Sequence, residues 1–328
     1  LAIYIAITDD DLRSILHAWD VPPLQAALGI PEGSINTNVA LEFKDGSRAF
    51  LRLTMVRDEA ALNYEAALLE ALAGSGVEAA RLRRTRSGAV SVPWGGGFVS
   101  LFDWIDGVEV ARKALESARL RSLGGALARM HGALDGITTP RPNAYDTHVV
   151  AGWLEELRRE DHPGLEGLAD FLLEAQETAR GCLVRHGSSL PAGPIHADLF
   201  MDNVKWPTPD APVLFDFEMA CHSPRVLDVA ITLDAWCFDG EFQQPLARAF
   251  VEGYESVRPL TAEEWDALHG AALCGAIRFT TSRIRDFHLS MLPPDRLAKK
   301  DYRTWLARVN ALRSMGKDRF REWLAPRG

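Results

Sequence analysis

Hydrophobic and polar positions fall into two rhythms, strand-like over the first hundred residues and helical over most of the remaining chain. Residues 8–19 read as a helix, with Thr8 placed to cap an acidic first turn of Asp9, Asp10 and Asp11. Val39-Ala40-Leu41-Glu42-Phe43 and Ala49-Phe50-Leu51-Arg52-Leu53 flank the turn Lys44-Asp45-Gly46-Ser47, which predicts a hairpin. Over residues 59–73, apolar or alanine side chains at 61, 62, 66, 68, 69 and 72 predict an amphipathic helix halted by Gly74-Ser75-Gly76. Residues 89–102 give two more strands around Pro93-Trp94-Gly95-Gly96-Gly97. Then the pattern turns helical. Leu120, Leu123, Leu127, Met130 and Leu134 form a core stripe in which His131 is structural. Residues 225–238 are apolar nearly all round and must be buried, so Asp228 and Asp234 within them need partners. Asp228 is expected to brace the backbone of the preceding loop. Thr261-Ala262-Glu263-Glu264 is a capping box opening a long helix that carries Arg278 and Arg283.

A single stretch interrupts the helical region. Pro194-Ile195-His196-Ala197-Asp198-Leu199-Phe200-Met201-Asp202-Asn203 runs into two short apolar segments, Val204 to Trp206 and Val213 to Phe215. Between them Pro207-Thr208-Pro209-Asp210-Ala211-Pro212 reads entirely as turn. Folded as an antiparallel hairpin, this segment sets Asn203 beside Asp216 at the open end, with Asp198 on the incoming loop. An amide oxygen and a carboxylate are hard donors suited to Mg2+, which keeps one or two protein oxygens alongside substrate phosphates. The remaining carboxylate, Asp198, is free to take a proton from an alcohol. Singly, these residues read as a core histidine, a turn residue and a strand-end cap; their joint spacing favours kinase chemistry. Nearer the start, the small polar turn Gly29 to Asn38, with Ser34, Asn36 and Asn38, can lay backbone N–H groups over phosphates.

The 328 residues are long for one core, so two packed units are expected, residues 1–102 and 103–328. A 47% hydrophobic and 25% charged composition is that of an ordinary soluble chain. The net charge of −9 argues against a nucleic-acid partner. No apolar run approaches the roughly 20 residues of a membrane span, and Leu1 to Leu12 lacks the basic region and cleavage site of a secretion signal. Four scattered cysteines point to a reduced, cytoplasmic protein. Oligomeric state is left open.

His196-x-Asp198 with Asn203, followed by a strand ending Asp216-Phe217, resembles the catalytic and metal-binding loops of kinase-fold phosphotransferases. His-Ala-Asp for His-Arg-Asp, and Glu218 where protein kinases carry glycine, point to the branch of the aminoglycoside and choline kinases. The likeness runs nearly end to end with bacterial homoserine kinases of that superfamily. Ala2-Ile3-Tyr4, Arg141-Pro142-Asn143-Ala144, Ala220-Cys221 and Ala235-Trp236-Cys237-Phe238 carry it, with Gly253-Tyr254-Glu255 and Val257-Arg258-Pro259-Leu260.

The resemblance implies an α+β, two-lobed, protein-kinase-like fold of the aminoglycoside phosphotransferase type. Its small N-lobe would hold an antiparallel sheet plus helix, and its large C-lobe would be mostly helical. ATP and Mg2+ are the implied cofactors. Asp198 would be the base, and Asn203 and Asp216 the metal ligands. Arg52, aligned by Glu65, would replace the usual strand lysine on the non-transferred phosphates, a substitution that is not neutral. Leu101, Phe102 and Trp104 would line the adenine site, with Lys205 beneath the base at a normally apolar position. Glu218 or Asp234 would meet an acceptor ammonium and Arg278 or Arg283 its carboxylate, with Trp236 nearby. The family carries an aromatic residue at 218 and an amide at 234, so the added carboxylates favour a more cationic alcohol than homoserine, such as an aminoglycoside or a choline-like or ethanolamine-like acceptor. ATP-dependent phosphorylation of a small alcohol, with L-homoserine the first candidate, is the leading reading; a nucleotide-binding module with little turnover is the second, and a metal-dependent hydrolase using His196, Asp198, Asp202 and Asp216 the third.

Overall fold

The computed structural model describes residues 7–30, 36–160, 162–290 and 300–325. They divide into two compact units, residues 1–107 with 213–218, and residues 108–212 with 219–328. The boundary expected after residue 102 thus lies at Gly107, and a short strip around Asp216 belongs with the first unit.

The first unit contains α1 (Asp9–Leu16), β1 (Leu24–Ile30), β2 (Thr37–Phe43), β3 (Arg48–Thr54), α2 (Glu59–Leu72), β4 (Leu82–Arg83), β5 (Val92–Trp94) and β6 (Gly97–Asp103). Thr8 caps α1 in a reciprocal box with Asp11. The strands pair antiparallel in the order β1-β2-β3-β6-β4, with β5 also on β6. Successive side chains leave opposite faces of a strand, so the register sorts them. Val39, Leu41, Leu51, Leu53, Val99 and Leu101 form one core face with Leu12, Ile15, Leu16 and Trp19. The other face carries Asn38, Arg52 and Ser100 in one cross-strand row, beside the Phe50–Phe102 pair. On that face Phe98 packs with Leu62 and Ala66 of α2.

The second unit is mostly helical, with α3 (Ser117–Ala133), α4 (Thr147–Arg159) and α5 (Leu168–His186) leading into β7 (Ala192–Ile195). Val204–Thr208 (β8) and Ala211–Leu214 (β9) form a two-stranded ribbon, and β10 (Cys221–Pro224) pairs antiparallel with β7. Then come α6 (Arg225–Trp236), the short strands β11 (Phe238–Asp239) and β12 (Glu241–Phe242), α7 (Gln244–Glu255), α8 (Ala262–Arg283), α9 (Arg303–Met315) and α10 (Lys317–Leu324). The proline-rich segment differs from expectation. Pro207 and Pro212 lie within the strands, and only Pro209 and Asp210 turn. A two-stranded ribbon has outer edges that need no ladder N–H, so it tolerates proline there. Thr261 caps α8 through the expected box with Glu264. Among the described residues no helix is long and apolar enough to cross a membrane.

Candidate active site

The loop after β7 is held by one buried carboxylate. Asp228, in the first turn of α6, accepts from the His196 N–H and the Ala197 N–H, each at 2.8 Å. Its Oδ2 also faces His131 Nε2 at 3.0 Å, and His131 Nδ1 lies 2.7 Å from the Tyr254 hydroxyl. Burial works against the charge on Asp228, but hydrogen bonds led by His131 prevail and hold it below the ordinary carboxylate range. Ala197 takes the left-handed conformation, φ +63°, which a residue with a Cβ adopts only under constraint. Both its peptide groups are clamped: N–H to Asp228, and C=O to Arg278 Nη1 at 2.5 Å.

That twist delivers Asp198. Its N–H is 3.3 Å from His196 Nδ1, and its carbonyl accepts from the Phe200 N–H. Asn203 Nδ2 donates to the Asp198 carbonyl at 2.7 Å and approaches Oδ2 at 3.3 Å. Because the amide nitrogen is committed there, the opposite end of the Asn203 side chain is its oxygen. The sequence-predicted base and one predicted metal ligand are therefore neighbours. Cys221, paired with Ile195 where the β7–β10 ladder meets this loop, has its thiol pushed up to about 12 by burial, against the low pKa a nucleophilic cysteine needs.

In the first unit, Arg52 and Glu65 form a bidentate pair, at 3.1 Å (Nη1 to Oε1) and 2.5 Å (Nη2 to Oε2). Burial opposes the Arg52 charge, but the Glu65 carboxylate beside it holds the guanidinium above its ordinary value. Arg52 Nη1 also lies 3.4 Å from Asp216 Oδ1, and its guanidinium sits 4.9 Å over the Phe102 ring. Asp216 itself has φ +63°. A second arginine, Arg57, is not marked by the sequence pattern, although it reaches Glu65 Oε2 at 2.7 Å. Its position just before the Asp58 cap of α2 does not set it apart from a solvated arginine. Asn36 donates to Glu218 Oε2 at 2.8 Å, placing Glu218 in the first unit with the expected phosphate turn. Among the described residues the buried Asn36 Oδ1 has no hydrogen-bond partner. Leu101 buries its side chain in the α1 core, so only its backbone can face a ligand. Trp104 stacks under Arg48 at 4.8 Å. Ser34 lies outside the described residues.

The remaining predicted residues surround the Asp198 loop within the second unit. Lys205 is 2.5 Å from Glu109, which compensates its charge. Trp236 is buried and donates Nε1–H to the Leu199 carbonyl at 2.9 Å. Arg278 lies between the rings of Tyr145 and Phe279, at 4.4 and 4.2 Å. Arg283 donates Nη1–H to Thr304 Oγ1 (2.9 Å) and the Asp301 carbonyl (3.2 Å). Burial lowers Arg283 to about 10, opposed by Asp198 and Asp202. Phe200, Phe279 and Trp305 pack ring to ring, with Phe200 stacked on Trp305 at 5.3 Å. Neither that trio nor Arg308 stands out in the sequence. Arg308 rests over Phe238 and Trp305 and bonds the Asp234 carbonyl at 2.6 Å.

Asp234 departs from expectation. It is fully buried, yet among the described residues neither carboxylate oxygen has a hydrogen-bond partner. Burial raises its pKa well above the ordinary value, against the pull of Arg308. The protonated form therefore stabilises the fold fully at about pH 4 and below, and that contribution is lost as pH rises toward the folded-state value. Asp234→Asn should accordingly gain on the order of 2 kcal/mol near pH 8 and almost nothing near pH 4. Thermal unfolding at both pH values checks this, and equal gains would contradict it.

A model of the phosphotransferase enzyme family matches residues 27–260. The chain is similar to the homoserine kinase of Rhizobium etli, 34% identical over 330 residues, covering 96% of this chain and 97% of that one. Among solved structures, its fold is similar to an amicoumacin kinase, with TM-score 0.70 and 16% identity over 94% of this chain and 92% of that one. It is also similar to the aminoglycoside phosphotransferase of Alicyclobacillus acidocaldarius, with TM-score 0.64 and 18% identity over 98% of each chain. With the catalytic loop and the Arg–Glu pair in place on a protein-kinase-like fold, the chain belongs to the phosphotransferase enzyme family and is an ATP-dependent kinase.

Proposed function

We propose that this kinase transfers the γ-phosphoryl group of ATP to the side-chain hydroxyl of L-homoserine in the cytoplasm, giving O-phosphohomoserine and ADP. The name of its relatives supports the acceptor, and the Asp198–Asn203 contact carries the mechanism. Asp198 orients the hydroxyl and takes its proton as the new O–P bond forms and the bond from Pγ to the β-phosphate oxygen breaks. Asn203 through Oδ1 and Asp216 through its carboxylate are the donors proposed for Mg2+, a set whose hard oxygens suit that ion. Bound there, the ion would neutralise phosphate charge. Arg52, locked by Glu65, steadies the non-transferred phosphates, with Asn38 next to it on β2 and Asn36 just before that strand. The backbone of Leu101, with Phe102 and Trp104, meets the adenine, and Lys205 lies below the base. Positioning supplies most of the acceleration, because phosphoryl transfer asks little covalent help.

For the acceptor, Arg283 is the better carboxylate partner. Arg278 and Arg283 both lie in the field of Asp198, but Arg278 gives Nη1 to the Ala197 carbonyl and is enclosed by two rings, whereas Arg283 sits beside Trp305. Asp234, with two unbonded oxygens, is the anion an incoming ammonium would ionise. The same acid supports a second reading, in which the acceptor is a more cationic alcohol. An ADP-release screen over homoserine, serine, choline, ethanolamine and aminoglycosides, with product identified by phosphorus NMR, separates the two. Homoserine should be preferred by at least about tenfold in kcat/KM, and a stronger preference for choline or an aminoglycoside would replace it. Arg283→Met should raise the homoserine KM by about 10–100-fold and change the KM for ATP little, as expected for a lost charge-assisted bond. An unchanged homoserine KM would remove Arg283 from the site.

A further inference from the structure

Beside the catalytic loop, but not part of it, the second unit contains a cavity of about 300 Å³. Its wall comes from the segment Asn143–Thr147, from α5, and from the facing parts of β10, α6 and α8. Asp198, Arg283, Phe200 and Trp305 are not among the described residues of that wall, although Tyr145 and Arg278 within it lie in the field of Asp198. The volume far exceeds what a single bridging water fills and falls at the small end of ligand sites.

Two buried polar groups in the wall lack hydrogen-bond partners among the described residues. Gln176 is 3% exposed, and its Nε2 donates to the Thr147 carbonyl, which fixes the amide orientation and leaves Oε1 without a hydrogen bond. Arg278 is 6% exposed; Nη1 is spent on the Ala197 carbonyl, and Nε has no partner. One is an acceptor and the other a cationic donor, and leaving either empty is costly. The rest of the wall is polar through Asn143, Thr147 and Ser223 and aliphatic through Val150, Leu183, Leu190 and Leu227, with Asp146, whose Oδ1 accepts from the His148 N–H, at the start of α4. Arg180, also in the wall, is already bidentate to Glu177. What remains is one positive and one negative charge, an open acceptor and an aliphatic lining. That combination matches a zwitterion with an aliphatic side chain.

We infer that this cavity is a second ligand site, which binds a small aliphatic L-α-amino acid. Its carboxylate accepts from Arg278 Nε, its ammonium donates to Gln176 Oε1 on the Asp146 side, and its side chain packs on Leu183, Leu190 and Leu227. The same guanidinium holds the carbonyl of the strained Ala197, so the occupant sits one residue contact from the catalytic loop. The inference does not require homoserine to be the acceptor.

Calorimetric titration of the whole chain without nucleotide tests the site, using L-valine and L-leucine as probes. Glycine, which lacks the side chain, and L-valinamide, which lacks the carboxylate, are the controls. L-Valine or L-leucine should bind with a measurable Kd, and both controls should bind at least about tenfold more weakly. Gln176→Leu should weaken the amino acid at least about tenfold and leave the acceptor KM within about twofold. Should Gln176→Leu fail to fold, Leu183→Trp, which fills the cavity from a half-buried position on α5, should abolish binding with the same indifference in KM. Absence of binding by both probes, or binding unaffected by the folded variant, overturns the site. A parallel rise in acceptor KM overturns it too, because the cavity would then be the acceptor pocket.

Discussion

Asp198→Ala is expected to lower kcat by about 10²–10⁴-fold, the usual contribution of a positioned general base, while ATP·Mg2+ affinity stays within about twofold. The separation follows from how the loop is built. The backbone of residue 198 keeps its bonds in the variant. Its N–H still meets His196 Nδ1, and its carbonyl still accepts from the Phe200 N–H and from Asn203 Nδ2. The 3.3 Å approach of Asn203 to the carboxylate is lost, but its 2.7 Å bond to the carbonyl keeps Asn203 in place. Asp198→Asn sharpens the comparison, because it retains an oxygen to orient the hydroxyl and removes the ability to take its proton. Single-turnover rates and equilibrium nucleotide titration of both variants provide the check. Activity within about tenfold of the parent would reject Asp198 as the base.

The portion of this site that sequence makes legible is the portion whose geometry is local. Asp198 and Asn203 lie five residues apart, and a loop leading into a strand fixes their encounter with few choices. Asp228 was equally readable, since a carboxylate in a helix apolar on every side must find donors, and the nearest are on the loop it packs against. Arg52 and Glu65 could be paired from their order along the chain, but Arg57 could not, because nothing in the sequence distinguishes it from a solvated arginine before a helix cap. The Phe200–Phe279–Trp305 trio joins residues roughly 80 and 100 positions apart and carries no spacing signal. β1 was hidden for another reason. As the edge strand of its sheet it buries none of its side chains fully, so Leu24–Ile30 shows no clear alternation. The prolines of the β8–β9 ribbon concealed strand where turn chemistry was the stronger cue. Asp234 shows where rules about buried charge stop: its oxygens find no hydrogen-bond partner among the described residues, and burial pushes its pKa up instead.

The largest stability effect is expected at Asp228, and it should carry activity with it. Arg258 Nη1 donates to the Tyr254 hydroxyl at 3.0 Å, Tyr254 meets His131, and His131 meets Asp228, which holds the loop. Burial keeps His131 below its ordinary pKa, so the imidazole is neutral near pH 7; with Nδ1 accepting from Tyr254, its proton sits on Nε2 and points at Asp228. Asp228→Ala strips three buried donors of their acceptor: the N–H groups of His196 and Ala197, and His131 Nε2–H. Unsatisfied buried donors of this kind should together cost on the order of 3–5 kcal/mol. Without its N–H anchor the left-handed Ala197 can relax, carrying Asp198 out of register, so kcat should fall more than nucleotide affinity. Asp228→Asn separates charge from shape, since one oxygen remains to accept. The sign of its pH dependence is fixed by the depressed carboxylate. Asp228 contributes stability above its unfolded value of about 4, and that contribution is lost as pH falls through the folded-state value. In Asp228→Asn that acid limb should flatten, so the deficit against the parent is largest near pH 7 and shrinks toward acid. Urea unfolding across pH, with kcat measured alongside, reads both effects. A cost under about 1 kcal/mol for Asp228→Ala, or an acid limb unchanged in Asp228→Asn, would mean that the loop is held by something other than this carboxylate.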